Sequence, residues 1–134
     1  MSGLDLSVSI ALSVISAATP LLLAATGELL TEKSGVLNLG VEGMMLVGAV
    51  VGFAVTLGSG SAVLGVAAAA LAGAALAFAF GMLTLTLLAN QVATGLALTI
   101  FGVGLSALIG ARYVGQPLQP LPKLHLPGIS DIPV

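Results

Sequence analysis

The chain alternates long apolar stretches with two short polar interruptions. From Leu6 to Gly27 almost every position is apolar or small, and from Gly43 to Ala111 there is no Asp, Glu, Lys or Arg. A run of that length cannot form the surface of a soluble domain, and it exceeds the roughly 20 residues that one bilayer crossing needs. The pattern predicts an all-α, polytopic membrane protein with about four transmembrane helices, near residues 6–30, 39–57, 62–89 and 92–111. Their apolar content is continuous, so periodicity does not say which face of a helix is inward. Pro20 removes a backbone donor inside the first span and predicts a kink, which embedded helices tolerate where neighbours satisfy the freed carbonyl.

The first interruption runs from Glu28 to Met45, ELLTEKSGVLNLGVEGMM. It holds four of the eight formally charged residues, Glu28, Glu32, Lys33 and Glu42, together with Asn38 and the glycines Gly35, Gly40 and Gly43. Glu28, Glu32 and Lys33 follow a stretch already long enough to span the core, which reads as an interfacial helix end. Asn38 and Glu42 flank a glycine-broken segment that opens the second helix. Asn38 is a plausible N-cap, and a carboxylate at Glu42 suits the positive end of the helix dipole. Transporters place discontinuous helix ends of this kind beside a solute path. Gly35, Gly40 and Gly43 are thus read as the break or hinge, and Asn38 and Glu42 as pathway candidates.

The second interruption is Asn90, Gln91 and Thr94. Amides and hydroxyls offer donors and acceptors suited to a neutral hydroxylated solute, and they equally suit helix capping or helix-to-helix hydrogen bonds. Between the interruptions, Gly48 and Gly52 form a GxxxG pair, and Gly65, Ala69, Gly73, Ala77 and Gly81 fall four apart. Gly48, Gly52, Gly65, Gly73 and Gly81 are therefore expected packing positions, where a neighbouring backbone can come close. Gly102, Ser106 and Gly110 form a similar stripe on the fourth helix. The sequence 58–61, GSGS, is a tight turn signal.

From Gly115 the chain changes character. GQPLQPLPKLHLPGISDIPV contains five of the six prolines and reads as a Pro-rich, extended, extramembrane loop. It stops within what looks like a connection, as a fragment of a longer protein would. The domain reading is residues 1–114 in the membrane and 115–134 outside it.

Composition removes several function classes. There is no cysteine and one histidine, His125, so no thiolate or His-rich metal site is expected, and no cofactor. A formal net charge of -2 provides no basic patch for nucleic acid. There is no nucleophile–base pair and no GxxxxGK[ST] loop, so the chain is not expected to be an enzyme or to hydrolyse ATP itself. Residues 1–6 carry Asp5 and no Lys or Arg, and the apolar run that follows is too long for a signal peptide. Positive charges, Lys33 in the first connection against Arg112 and Lys123 in the tail, would by themselves place the tail in the cytoplasm.

The segment LTEKSGVLNLGVEGMMLVGA, residues 30–49, resembles a signature of bacterial ABC-transporter permeases of the simple-sugar and nucleoside uptake group, a branched-chain-type family. It is closest in style to the nucleoside permeases. ANQVATGLALT, residues 89–99, and the Pro-rich tail also resemble that group. The resemblance implies a multi-pass protein of the bacterial cell (inner) membrane. It implies a second, related permease subunit, cytoplasmic P-loop ATPase subunits and an extracytoplasmic solute-binding protein as partners. It further implies alternating access to a shared path for a nucleoside or simple sugar, with the Pro-rich tail outside and residues 31–37 near the cytoplasm, against the charge count. No segment of residues 1–134 matches the family's ATPase-docking segment. Two other readings compete: a small proton-coupled exporter with Glu28 or Glu42 as its proton site, and a structural membrane subunit.

Overall fold

The computed structural model describes residues 3–118, with side chains from Leu6 onward. Four long helices carry the chain: α1 (Gly3–Lys33), α2 (Val41–Ser59), α3 (Ala62–Gly81) and α4 (Gln91–Gly110). Each is long and apolar enough to cross a membrane. No strand occurs among the described residues. The fold is the all-α, four-span arrangement that the apolar pattern predicts.

The helix ends are set by local chemistry. α1 runs past the expected limit to Lys33 and stops in a glycine-terminated cap. Gly35 takes φ +81°, its N–H donates to the Glu32 carbonyl at 2.9 Å, and the Val36 N–H donates to the Thr31 carbonyl at 3.0 Å. This paired return of two N–H groups satisfies carbonyls that α1 would otherwise leave open, and only glycine takes that φ without steric cost. The turn into α3 works likewise: Gly60 takes φ +68° and donates to the Thr56 carbonyl at 2.9 Å, while the Ser61 hydroxyl accepts from the Leu64 N–H. α3 stops as an α-helix at Gly81, short of the expected limit near 89. The chain continues through a π-helical turn, Met82–Thr86, in which the Leu87 N–H reaches the Met82 carbonyl at 3.1 Å. Leu88, with φ +53°, then ends the run.

α2 lies at the centre, with Gly43, Met44, Val47 and Gly48 buried. α3 packs antiparallel against it through small residues. A Cβ added at Gly48 would lie 3.3 Å from the Ala69 carbonyl oxygen, and one added at Gly52 would lie 3.2 Å from that of Gly65. One added at Gly65 would overlap the Thr56 hydroxyl. The expected α3 stripe therefore meets α2 along its first half only. Gly73 and Gly81 have nothing within 4 Å of an added Cβ, so the structure gives them no helix-packing contact among the described residues. α4 runs parallel to α2 on another side, and at the far end Phe53 meets Tyr113 edge-to-face with ring centroids 6.0 Å apart. α1 stands away from the bundle and leaves Leu21, Leu22 and Leu23 exposed. Of the Pro-rich segment, Gly115 (φ +78°) turns the chain out of the helical pattern; residues 119–134 of that predicted loop, with Lys123 and His125, lie outside the described residues.

Candidate functional site: the break before α2

Residues 34–36 return their N–H groups to carbonyls of α1, whereas residues 37–39 join that cap to α2 without helical hydrogen bonds of their own, so their peptide groups need other partners. Side chains from α1 and α4 supply them. The Leu37 N–H donates to Gln91 Oε1 at 2.8 Å, and the Asn38 N–H donates to Glu28 Oε1 at 3.1 Å. The Leu39 carbonyl accepts from the Thr99 hydroxyl at 2.8 Å. Three consecutive residues of the break are thus held by side chains of the two helices that flank it.

Asn38 is 7% exposed, the most buried polar residue of the break. It does not cap α2 as its position suggests. Gly40 is the capping residue, and its N–H donates to Asn38 Oδ1 at 2.9 Å, closing a side-chain turn one step earlier. Among the described residues, the Asn38 Nδ2 group has only the Met44 sulfur, at 3.8 Å, as its acceptor. Sulfur is a weak acceptor, so this amide retains most of its donor capacity.

The glycines of the break have two separate roles. Gly35 ends α1. Gly40 and Gly43 let the start of α2 lie directly on α4. A Cβ added at Gly43 would be 2.6 Å from the Leu98 carbonyl oxygen, and one added at Gly102 would be 2.5 Å from Gly43 Cα. One added at Gly95 would be 2.8 Å from the Leu39 nitrogen. Backbone meets backbone along this crossing, which is why Thr99, lying between Gly95 and Gly102 on α4, can reach the Leu39 carbonyl.

A groove of about 610 Å³ opens between α1 and the α2–α3 pair. Glu28, Thr31 and Asn38 contribute its polar edge, and Pro20, Met44 and Met45 are part of its apolar wall. Glu28 is half-buried; its Oε1 holds the break, while Oε2 is shielded from solvent and meets no donor among the described residues. The volume falls within the range of about 300–1,000 Å³ common for small-molecule sites.

The predicted candidates separate in space. Asn38 lines the groove and Gln91 braces the break from α4. Glu42 is exposed in the first turn of α2 and lies outside the groove. Asn90 caps α4, accepting from the Ala93 N–H at 3.0 Å. Thr94 borders a different, shallow depression with Leu83 and Phe101. Reading from sequence missed Glu28, which looks interfacial by position, and Gly95 and Thr99. Gly95, Thr99 and Gly102 follow an i, i+4, i+7 spacing, a one-face signal that was present in the sequence. No group of three or more metal-ligating side chains occurs among the described residues.

Comparison with known proteins gives this geometry a family. Residues 10–120 match the model of the family described as the permease component of the branched-chain amino acid transport system. A putative glucose ABC transporter permease protein, TsgC13 of Haloferax volcanii, is 42% identical over 115 residues, which is 86% of this chain and 35% of that protein. The guanosine ABC transporter permease protein NupQ of Bacillus subtilis is 31% identical over 128 residues, covering 87% of this chain and 40% of that protein. The chain thus spans little more than a third of the length of these curated relatives. No solved structure matches. With four membrane-spanning helices and a family match over most of its length, the chain belongs to the branched-chain-type family of transport-system permease components, as a multi-pass membrane protein.

Proposed function

We propose that this chain forms part of the translocation path of an ABC importer for a neutral, hydroxyl-rich solute, a nucleoside or simple sugar. The observation that carries the reading is the groove beside the break, where the buried Asn38 amide faces a wall otherwise largely apolar. The relatives' names support it. One is named for glucose and the other for guanosine, two uncharged ring compounds with several hydroxyls. A path with amide and hydroxyl groups and no fixed positive charge suits such solutes.

In this reading the chain works with a second permease subunit, with P-loop ATPase subunits on the cytoplasmic side, and with a solute-binding protein outside. The break lies toward the cytoplasm, and the tail after α4 lies outside. Switching of access moves the α1–α2 junction, because that junction is held by side chains rather than by continuous helix.

The test is uptake of labelled nucleosides and monosaccharides by vesicles carrying the full-length permease with its ATPase and binding protein. Asn38→Ala is expected to lower uptake about fivefold or more, the effect of one lost hydrogen bond, at an unchanged amount of permease in the membrane. Wild-type rates in that variant, or uptake that persists without ATP hydrolysis, overturn the reading.

A further inference from the structure

α1 is tied to the rest of the fold near one end. No residue from Leu6 to Lys33 is buried, whereas each of the other three long helices buries at least two. A Cβ added at Gly27 would meet nothing within 4 Å. Two features hold the C-terminal end of α1: the cap at Gly35, and the bond from the Asn38 N–H to Glu28 Oε1 at 3.1 Å. Pro20 lies well beyond both, about 22 Å from Gly35 along the helix, so a tilt of roughly 15° about the capped end moves it by about 6 Å.

The facing walls of the groove suit closure. α1 presents Ala24 and Gly27, three apart on one face, and the opposite wall presents Gly48, Ala49, Ala69 and Ala77. Small residues on both sides let helix backbones approach closely in a membrane, yet a space of about 610 Å³ separates them. Glu28 supplies a reason. Its carboxylate is half-buried at the groove edge, with Oε1 on the Asn38 N–H and Oε2 already covered by protein without a donor. Lys33 is five positions on and falls on a different face of α1. The α2 and α3 residues of the groove are apolar or glycine. Tilting α1 inward removes the solvent left to this carboxylate and brings it no new donor from those walls, and burying an unpaired charge is strongly unfavourable.

We infer that α1 is the moving wall of the groove and that Glu28 is the positioning residue that holds it open. When access switches, α1 tilts about its capped end and closes on the α2–α3 pair, bringing Ala24 toward Ala49. This rests on the proposed transport function and names its moving part. The bond through Oε1 fixes the pivot, and the carboxylate charge disfavours the closed position. Neutralising Glu28 therefore favours closure while keeping the pivot, because the oxygen of a glutamine amide accepts from the Asn38 N–H in its place.

The experiment places a thiol on each wall, Ala24→Cys with Ala49→Cys, in the full-length permease with any cysteine elsewhere replaced by serine. The complete transporter in vesicles is treated with a copper–phenanthroline oxidant, and disulfide formation is followed by mass spectrometry alongside uptake of labelled nucleosides and monosaccharides. The pair is expected to cross-link about tenfold faster with Glu28→Gln than with Glu28 present, the effect of removing one unpaired buried charge. Glu32→Gln removes the same charge from an exposed position of α1 and is expected to leave the rate unchanged. Oxidation is expected to stop uptake and a reductant to restore it, with immunoblotting of membranes normalising each variant. A purely structural Glu28 would lower the amount of permease without speeding the cross-link. Equal rates with and without Glu28→Gln, or no cross-link in either because another part of the permease fills the groove, overturn the inference and leave the transport reading standing. So does a cross-linked transporter that still takes up solute. If no nucleoside or monosaccharide is carried, the transport reading falls, and the cross-linking rates still decide whether α1 closes and whether Glu28 opposes it.

Discussion

Replacing Gly102 with alanine adds one methyl group where the backbones of α2 and α4 come closest. That carbon would lie 2.5 Å from Gly43 Cα, 2.6 Å from the Gly43 oxygen and 2.7 Å from its carbonyl carbon. All three are backbone atoms, so no rotamer change relieves the overlap. Ordinary carbon contacts are about 3.5–4.0 Å, so α2 and α4 must part by roughly 1 Å. Overpacking of this kind costs about 1–3 kcal/mol. Parting also lengthens the 2.8 Å bond from the Thr99 hydroxyl to the Leu39 carbonyl, worth on the order of 0.6 kcal/mol in a membrane protein. The matched control is Gly73→Ala on α3, where nothing lies within 4 Å of the new carbon. There the better helix propensity of alanine predicts no loss, or a gain of up to about 1 kcal/mol. Denaturant titration of the full-length permease in lipid nanodiscs measures both. Equal stabilities for the two variants, or a Gly102→Ala protein as stable as wild type, would refute a backbone-to-backbone crossing at Gly43.

Gln91→Leu removes the acceptor of the Leu37 N–H, 2.8 Å away; hydrogen exchange at Leu37 is expected to quicken about fivefold, while amides in the middle of α2 keep wild-type protection. Residues 1–134 contain no cysteine, so single introduced thiols report topology cleanly. With the break facing the cytoplasm, an impermeant thiol reagent added outside is expected to label Ser59→Cys and spare Ser34→Cys; the reverse pattern inverts the orientation.

Much of the architecture was legible because its causes are local. The charge-free run from Gly43 to Ala111 requires lipid around it, and turn chemistry at Gly35, Gly60 and Asn90 marks helix ends whatever the neighbours do. The family was legible for a similar reason: residues 30–49 carry several constrained positions close together. The site was legible in part. Asn38 stood out as an amide in an apolar context, yet its neighbour Glu28, ten residues earlier, looked like one more headgroup-level charge. Its role depends on where the chain returns after Gly35. Glu42 stood out equally and lies outside the groove, because one helical step separates an inward position from an exposed one.

By itself the sequence determined that four helices are long and apolar enough to cross a membrane, roughly where the chain breaks between them, and which family they belong to. Those properties follow from apolar length, glycine and cap chemistry, and signature residues. Which glycines meet another backbone was a tertiary matter. Gly65 and Gly73 belong to one stripe on α3, and only Gly65 touches a neighbour. In a helix apolar on every side, burial in lipid favours no face, so pairing is decided by the fit of small residues across two helices and by a few hydrogen bonds. The same holds for the break, where Glu28, Gln91 and Thr99 reach residues 37–39 from two helices. The polar stretch before α2 was evident from its composition, and only folding shows that its backbone is held open beside a groove by side chains distant in the chain.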